Sequence, residues 1–214
     1  NYIEKNPAQN IEAPKPKKSL PKVLSLDESL ELLESVRNDK ESKNRTRDYT
    51  ILTLFLNCGM RLAELCGINT SDIRDNTIKL LGKGNKERFV YFGSACRKAL
   101  DIYLAERNKK ILSDNRAVFG SRNGNRISVE AVHRLVKKAL LQAGLDASQF
   151  SAHKLRHTAA TMMLSGGVDV KTVQEVLGHD NLNTTQIYTH IESTELKIAA
   201  EANPLSKLDF SDET

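Results

Sequence analysis

The stretch LGHDNLNTTQIYTH, residues 177–190, gathers His179, Tyr188 and His190 into one polar, turn-prone segment. Tyr188 is one of five tyrosines in a chain with no tryptophan. Its neighbours Ile187 and Thr189 suit a ring that anchors a short helix to a core. The other reading is a phenol that acts as a nucleophile. The stretch by itself favours the anchor, and three other stretches must be weighed with it and with its own start, LGHDN. GMRLAEL sets Arg61 beside an apolar run, with Glu64 three residues on. GKGNKER sets Lys83 and Lys86 in turn chemistry between two alternating segments. HKLRH sets His153 and Arg156 three apart, hence on one helical face. LGHDN supplies His179.

Singly, each has an ordinary explanation. Arg61 suits a surface ion pair at a helix end. Lys83 and Lys86 suit a solvated turn, His153 a helix cap or core position, and Glu64 a surface carboxylate. His157 lies about 100° round the helix from Arg156 and reads as structural; His133 reads as an exposed helix residue. GKGNKE hints at a phosphate loop, but it lacks the Lys-Ser/Thr ending and leads into a strand.

Together and in this order, the residues resemble the tyrosine recombinase (integrase) family. That family's pattern is an arginine, a hairpin lysine, a His-x-x-Arg pair, a histidine and a late tyrosine. Here these are Arg61, Lys83, His153, Arg156, His179 and Tyr188. The wording GMRLAEL, GKGNKER and HKLRHT is similar to the Xer-type branch, which resolves circular chromosome dimers. The resemblance implies a site-specific DNA recombinase catalytic domain. Its tyrosine would attack a DNA phosphodiester to give a 3′-phosphotyrosine, with strand exchange through a Holliday junction. It implies a double-stranded DNA recombination site as substrate and other recombinase subunits as partners. These would form a tetramer on DNA, from a chain that is monomeric in isolation. It implies no metal and no cofactor. Glu64 matches an acidic position of the family that could orient a catalytic cation. Two readings compete: a type IB topoisomerase-like nicking and resealing enzyme, and a DNA-binding regulator on the same scaffold without chemistry.

The implied chemistry is physically coherent. A phenol with pKa near 10 is only about 0.1% ionised at neutral pH, which leaves about 4 kcal/mol of activation to find. The phosphodiester also repels an anionic nucleophile, so fixed cations are needed. Arg61 and Arg156 offer forked donors that stay charged. His179 can bond a non-bridging oxygen as charge develops. His153 can take or relay the tyrosine proton. Lys83 can protonate the leaving 5′ oxygen. The covalent intermediate conserves bond energy. Protein cations then do what a divalent ion does in other phosphoryl transfers.

Such groups need a scaffold, and the pattern predicts one that is mainly α with a small antiparallel β-sheet (α+β), the tyrosine recombinase/integrase catalytic-domain fold. The 214 residues, 39% of them hydrophobic, suffice for one large domain. No proline interrupts 22–203, which suits helices. Ser25 and Glu28 read as a capping box before Leu26, Leu30, Leu33 and Val36 at helical spacing. A charged break follows over 37–48. YTILTLFLNCGM is apolar nearly all round and predicts a buried helix, with a short helix after Gly59. Alternation over 77–91 predicts a hairpin. Helices are predicted over 94–109, 128–144 (capped by Ser128), from HKLRH to Gly166, over 169–177, around Tyr188, and over 193–202.

Residues 1–22, rich in proline and lysine, read as an interdomain linker that would follow an N-terminal DNA-clamping domain. Residues 23–192 read as the catalytic domain. Residues 193–214 read as a C-terminal helix and tail, with Leu196, Ala199 and Ala200 on one stripe, packing on its own domain or into a neighbouring subunit. A net charge of +5 and a pI of about 9.1 hint at a polyanionic partner; Lys86, Lys137, Lys138 and Lys154 are candidate DNA contacts. Cys58, Cys66 and Cys96 lack metal-type spacing and read as free thiols. No apolar run approaches the ~20 residues of a membrane span, and no secretory signal is visible, so a cytoplasmic location is expected.

Overall fold

The computed structural model describes residues 22–82, 87–109, 113–178 and 194–208. Ser25 caps the first helix as its spacing to Glu28 predicts. Its hydroxyl accepts from the Glu28 amide at 3.1 Å, and the Glu28 carboxylate accepts from the Ser25 amide at 2.7 Å. Helix α1 (Leu26–Arg37) buries Leu32, Leu33 and Val36 and leaves Leu26 exposed.

Helix α2 (Arg45–Cys58) is buried at every residue from Tyr49 to Cys58. Its all-round apolar surface is explained by its neighbours, since α1 and two later helices pack against it. It starts at Arg45, so the charged break is shorter than its composition suggests. The helix stops at Gly59, which adopts φ +57°. A Cβ there would lie 2.6 Å from the Leu177 side chain, so glycine permits both the left-handed turn and the close approach. Helix α3 (Leu62–Gly67) follows at once.

The sheet has three antiparallel strands in the order β1 (Ile73–Arg74), β2 (Thr77–Leu81), β3 (Glu87–Tyr91). β2 and β3 form the predicted hairpin; β1, with two residues, is too short to show a period. Ile78 pairs with Val90 and Leu80 with Arg88. Residues directly opposite share a face, and Ile78, Leu80 and Val90 are buried while Phe89 is 54% exposed. Arg88 therefore sits on the inward face of β3, and the aromatic Phe89 on the outer one.

Helix α4 (Ser94–Arg107) packs on α2. α5 (Val129–Gln142) is capped by Ser128, whose hydroxyl accepts from the Ala131 amide at 3.1 Å. α6 (Ala152–Ser165) lies on α2, and α7 (Val170–Leu177) packs on α6. Asp169 caps α7 through the Lys171 and Thr172 amides at 2.9 and 3.0 Å.

The C-terminal helix α8 (Thr194–Ala202) and the 3₁₀ turn Pro204–Lys207 close the fold. Ala199 is fully buried in a small cluster with Met163, Val173, Val176 and Leu177. Asn203 donates from Nδ2 to the Leu56 carbonyl at 2.9 Å, and Leu205 is fully buried in the main core. Here the segment packs against the body of its own chain. The three cysteines are free and buried.

Candidate active site

Arg61 directly precedes α3, where the left-handed turn at Gly59 redirects the chain. Glu64 is the third residue of that helix, and its carboxylate accepts from the Arg61 amide at 2.8 Å. This closes the helix N-terminus, where a negative charge is favourable. The same carboxylate accepts from Arg61 Nη1 at 2.8 Å and from Arg88 Nη2 at 2.8 Å. Glu64 is therefore not a surface carboxylate. Its side chain is 3% exposed, between two guanidinium groups.

Arg156 comes from the second turn of α6 and is 7% exposed. Its Nη1 donates to the Gly59 carbonyl at 2.6 Å and its Nη2 to the Leu177 carbonyl at 2.7 Å. Arg61 Nη2 donates to the Gly178 carbonyl at 2.6 Å, and Arg88 Nη1 to the Val176 carbonyl at 2.6 Å. Three arginines thus close on three successive carbonyls, Val176, Leu177 and Gly178, at the C-terminal end of α7. That end carries the partial negative charge of the helix dipole and lacks intrahelical donors. Gly178 turns the chain there with φ +65°, and a Cβ on it would lie 2.9 Å from Arg88 Cδ.

Charge follows from this crowding. Burial, then the neighbouring Arg61 and Arg88, push Arg156 down to about 10. Burial alone would raise the Glu64 carboxyl, but hydrogen bonding and charge from Arg88, with both groups of Arg61, bring it below its ordinary value. Three guanidiniums against one carboxylate leave two positive charges unbalanced, in a partly buried setting. An oxyanion such as a phosphodiester is the natural complement. The Arg61 side chain, 40% exposed, is the cation most open to one.

His153 is exposed on the first turn of α6. Its Nε2 lies 3.1 Å from Nε2 of His157, with the rings edge to face. His157, read from the sequence as structural, is thus in direct contact with His153. The fold brings Arg61, Glu64 and Arg156 into one network. Lys83, Lys86, His179, Tyr188 and His190 lie outside the described residues. Lys137 and Lys138 are exposed on α5, and Lys138 pairs with Asp39 at 3.4 Å. Lys154 is half-buried on α6 beside His153. His133 is exposed on α5. Among the described residues, no group of three or more His, Cys, Asp or Glu side chains gathers as a metal site, and no helix is long and apolar enough to cross a membrane.

Arg88 is the member that sequence patterning did not single out. The alternation of β3 held the available signal: an arginine in phase with Val90, opposite the apolar Leu80, needs a buried partner.

Residues 22–195 match the model of the phage integrase family. The tyrosine recombinase XerC of Caldanaerobacter subterraneus subsp. tengcongensis is 48% identical over 206 residues, covering 96% of this chain and 57% of that protein. The tyrosine recombinase XerC of Thermodesulfovibrio yellowstonii is 40% identical, covering 97% of this chain and 71% of that protein. The chain thus spans little more than half of one curated relative and under three quarters of the other. Among solved structures, XerH recombinase bound to a palindromic difH substrate in a post-cleavage complex superposes with a TM-score of 0.71 at 30% identity, covering 94% of this chain and 59% of that one. XerA recombinase gives 0.68 at 32% identity, over 86% of this chain and 65% of that one.

Proposed function

This chain belongs to the phage integrase family, and we propose that it is the catalytic part of a site-specific DNA recombinase of the Xer type. The observation that carries this reading is the buried Arg156, with Arg61 and Arg88 around one carboxylate, at the end of α7. It is a fixed, net-positive site for a phosphodiester, whose last carbonyl, that of Gly178, is next in sequence to His179 and ten residues before Tyr188. The XerH relative was captured on a DNA site after cleavage, and its 30% identity extends through most of this chain.

In the proposed step, the Tyr188 oxygen attacks the scissile phosphorus as its proton passes to His153. The bond to the 5′ oxygen breaks, and Lys83 supplies that oxygen with a proton. Arg61, Arg156 and His179 neutralise charge on the non-bridging oxygens. The products are a 3′-phosphotyrosine and a free 5′-hydroxyl. A 5′-hydroxyl of a second strand reverses the step and exchanges partners through a Holliday junction. Residues 23–192 carry this chemistry; 1–22 serve as the linker from a DNA-clamping domain; 193–214 form the C-terminal helix and tail. The subunits assemble as a tetramer on paired DNA sites and separate as monomers without DNA. The protein works in the cytoplasm, where the chromosome lies. Lys86, Lys137 and Lys154 face the DNA backbone; Lys138 does so only by releasing Asp39.

The test is a nicked suicide DNA substrate carrying the recombination site, in buffer with a chelator. Wild-type protein should form a covalent adduct on a denaturing gel, and Tyr188→Phe should form none while still binding the DNA. An adduct that survives Tyr188→Phe would overturn the nucleophile. A wild-type protein that binds and never cleaves would favour the regulator. Relaxation of supercoils without Holliday junctions would favour the topoisomerase-like enzyme.

A further inference from the structure

We propose that Arg88 is a positioning residue for strand cleavage, holding Arg61 and the C-terminal end of α7 in register through Glu64 and the Val176 carbonyl. This rests on the recombinase reading above. Arg88 donates from Nη2 to Glu64 Oε2 at 2.8 Å and from Nε to Oε1 at 3.4 Å. Its remaining terminal nitrogen, Nη1, reaches the Val176 carbonyl at 2.6 Å. The guanidinium is planar and rigid, so these bonds set the spacing and angle between α3 and the end of α7. Glu64 in turn holds Arg61 Nη1.

Arg88 also lies in β3, five residues after Lys83 in sequence. One side chain therefore joins three of the elements that carry or adjoin the proposed catalytic groups; Arg156 comes from a fourth, α6. Arg61 directly precedes α3, Lys83 falls between β2 and β3 in sequence, and His179 is the residue after Gly178. A stability role alone explains the arrangement poorly. Burying an arginine and a carboxylate carries a desolvation penalty, and an apolar pair of like volume would serve a core as well or better. What the ionic pair provides is direction: a forked donor aimed at both a carboxylate and a backbone carbonyl.

The test uses Arg88→Lys, Arg88→Met, Glu64→Gln and the Glu64→Gln/Arg88→Lys double variant, with single-turnover cleavage on suicide DNA, DNA affinity and thermal melting. Lysine keeps the charge and much of the stem but lacks the fork. Arg88→Lys is expected to cleave roughly ten-fold more slowly at saturating DNA, and Arg88→Met about a hundred-fold, as small misplacement of reacting groups does. DNA affinity should hold within about two-fold, because the phosphate contacts that dominate affinity are kept. Glu64→Gln should slow cleavage too, and adding Arg88→Lys to it should cost much less than Arg88→Lys does alone, because both act through one contact. A purely structural role would lower the melting temperature and leave the rate of the folded fraction unchanged. That result, a wild-type rate in Arg88→Lys, or additive effects of the two substitutions would overturn the proposal. If Arg88→Met does not fold, Arg88→Lys decides. A wild-type protein that forms no adduct would instead overturn the recombinase reading, and the positioning role with it.

Discussion

His153 and His157 meet on one face of α6, with Nε2 atoms 3.1 Å apart and ring planes at 86°. A neutral imidazole carries one donor and one acceptor nitrogen. A proton on one Nε2 therefore requires a bare Nε2 on the other, and the tautomers of the two rings are linked. A catalytic base needs its acceptor nitrogen aimed and its tautomer fixed.

Replacing His157 with alanine should accordingly slow single-turnover cleavage by about ten-fold, less than the hundred-fold or more that a general acid or base itself contributes, and leave DNA affinity unchanged. His157→Gln, which can still bond Nε2, should recover part of the loss. Gel quantitation of adduct against time measures both; an unaltered rate in His157→Ala would remove His157 from the site.

Gly178 and Gly144 offer a matched comparison. Both adopt left-handed backbone, with φ +65° and +69°. A Cβ at 144 meets nothing within 4 Å, whereas one at 178 would lie 2.9 Å from Arg88. Each alanine substitution should cost about 1–2 kcal/mol for the backbone. Only Gly178→Ala should also displace Arg88 and impair cleavage at saturating DNA. Equal cleavage by the two variants would mean that the close contact at Gly178 has no bearing on the chemistry.

Glu64 should make the fold acid-sensitive. Its folded carboxyl lies below the ordinary 4.5, despite burial, because Arg88 and Arg61 bond it. A depressed carboxyl contributes stability that is fully present above the unfolded value and is lost as pH falls through the folded one. Urea unfolding should show wild-type stability falling more steeply with acid than Glu64→Gln, with the divergence starting near pH 4.5 and growing below it. Asp48, whose carboxyl burial raises, acts in the opposite sense in both proteins and cancels in the difference. Parallel curves would show that the carboxylate is not held by the arginines.

The C-terminal segment should be required for stability within one chain. Leu205 is fully buried and Asn203 is 1% exposed. Leu205→Ala should cost about 2–5 kcal/mol, or roughly 5–20 °C in melting temperature for a domain of this size. Deleting 193–214 should cost more, and should weaken binding to a single DNA site as well as cooperative binding to a paired one. A deletion that melts like the whole chain would show that α8 contributes nothing in cis.

Lys83→Ala should cleave slowly on ordinary DNA and regain much of its rate on DNA with a 5′-bridging sulfur, since a thiolate leaves without an acid. Arg156→Ala should not be rescued, because its role is phosphate charge. A similar response from both variants on suicide substrates would count against a proton-donating lysine.

Much of the molecule is legible along the chain because its causes are local. A capping serine and a glutamate three residues later define the start of α1. The mostly apolar run from Tyr49 to Cys58, interrupted only by Thr50, Thr53 and Asn57, dictates a helix buried on all sides, and alternation at Ile78 and Leu80 dictates a strand. The ordered residue types Arg61, Lys83, His153, Arg156, His179 and Tyr188 also belong to the sequence alone, as does the chemistry they imply.

Tertiary structure decided how the arginines are held. Glu64 and Arg88 are 24 residues apart, Arg88 and Val176 are 88 apart, and Arg61 and Gly178 are 117 apart. Such contacts depend on how α3, β3 and α7 cross, which no short-range period encodes. Their acceptors are moreover the main-chain carbonyls of Val176, Leu177 and Gly178. Every residue has a carbonyl, so no residue type marks these three; only the end of a helix, brought against three guanidinium groups by the fold, makes them the anchor of the site.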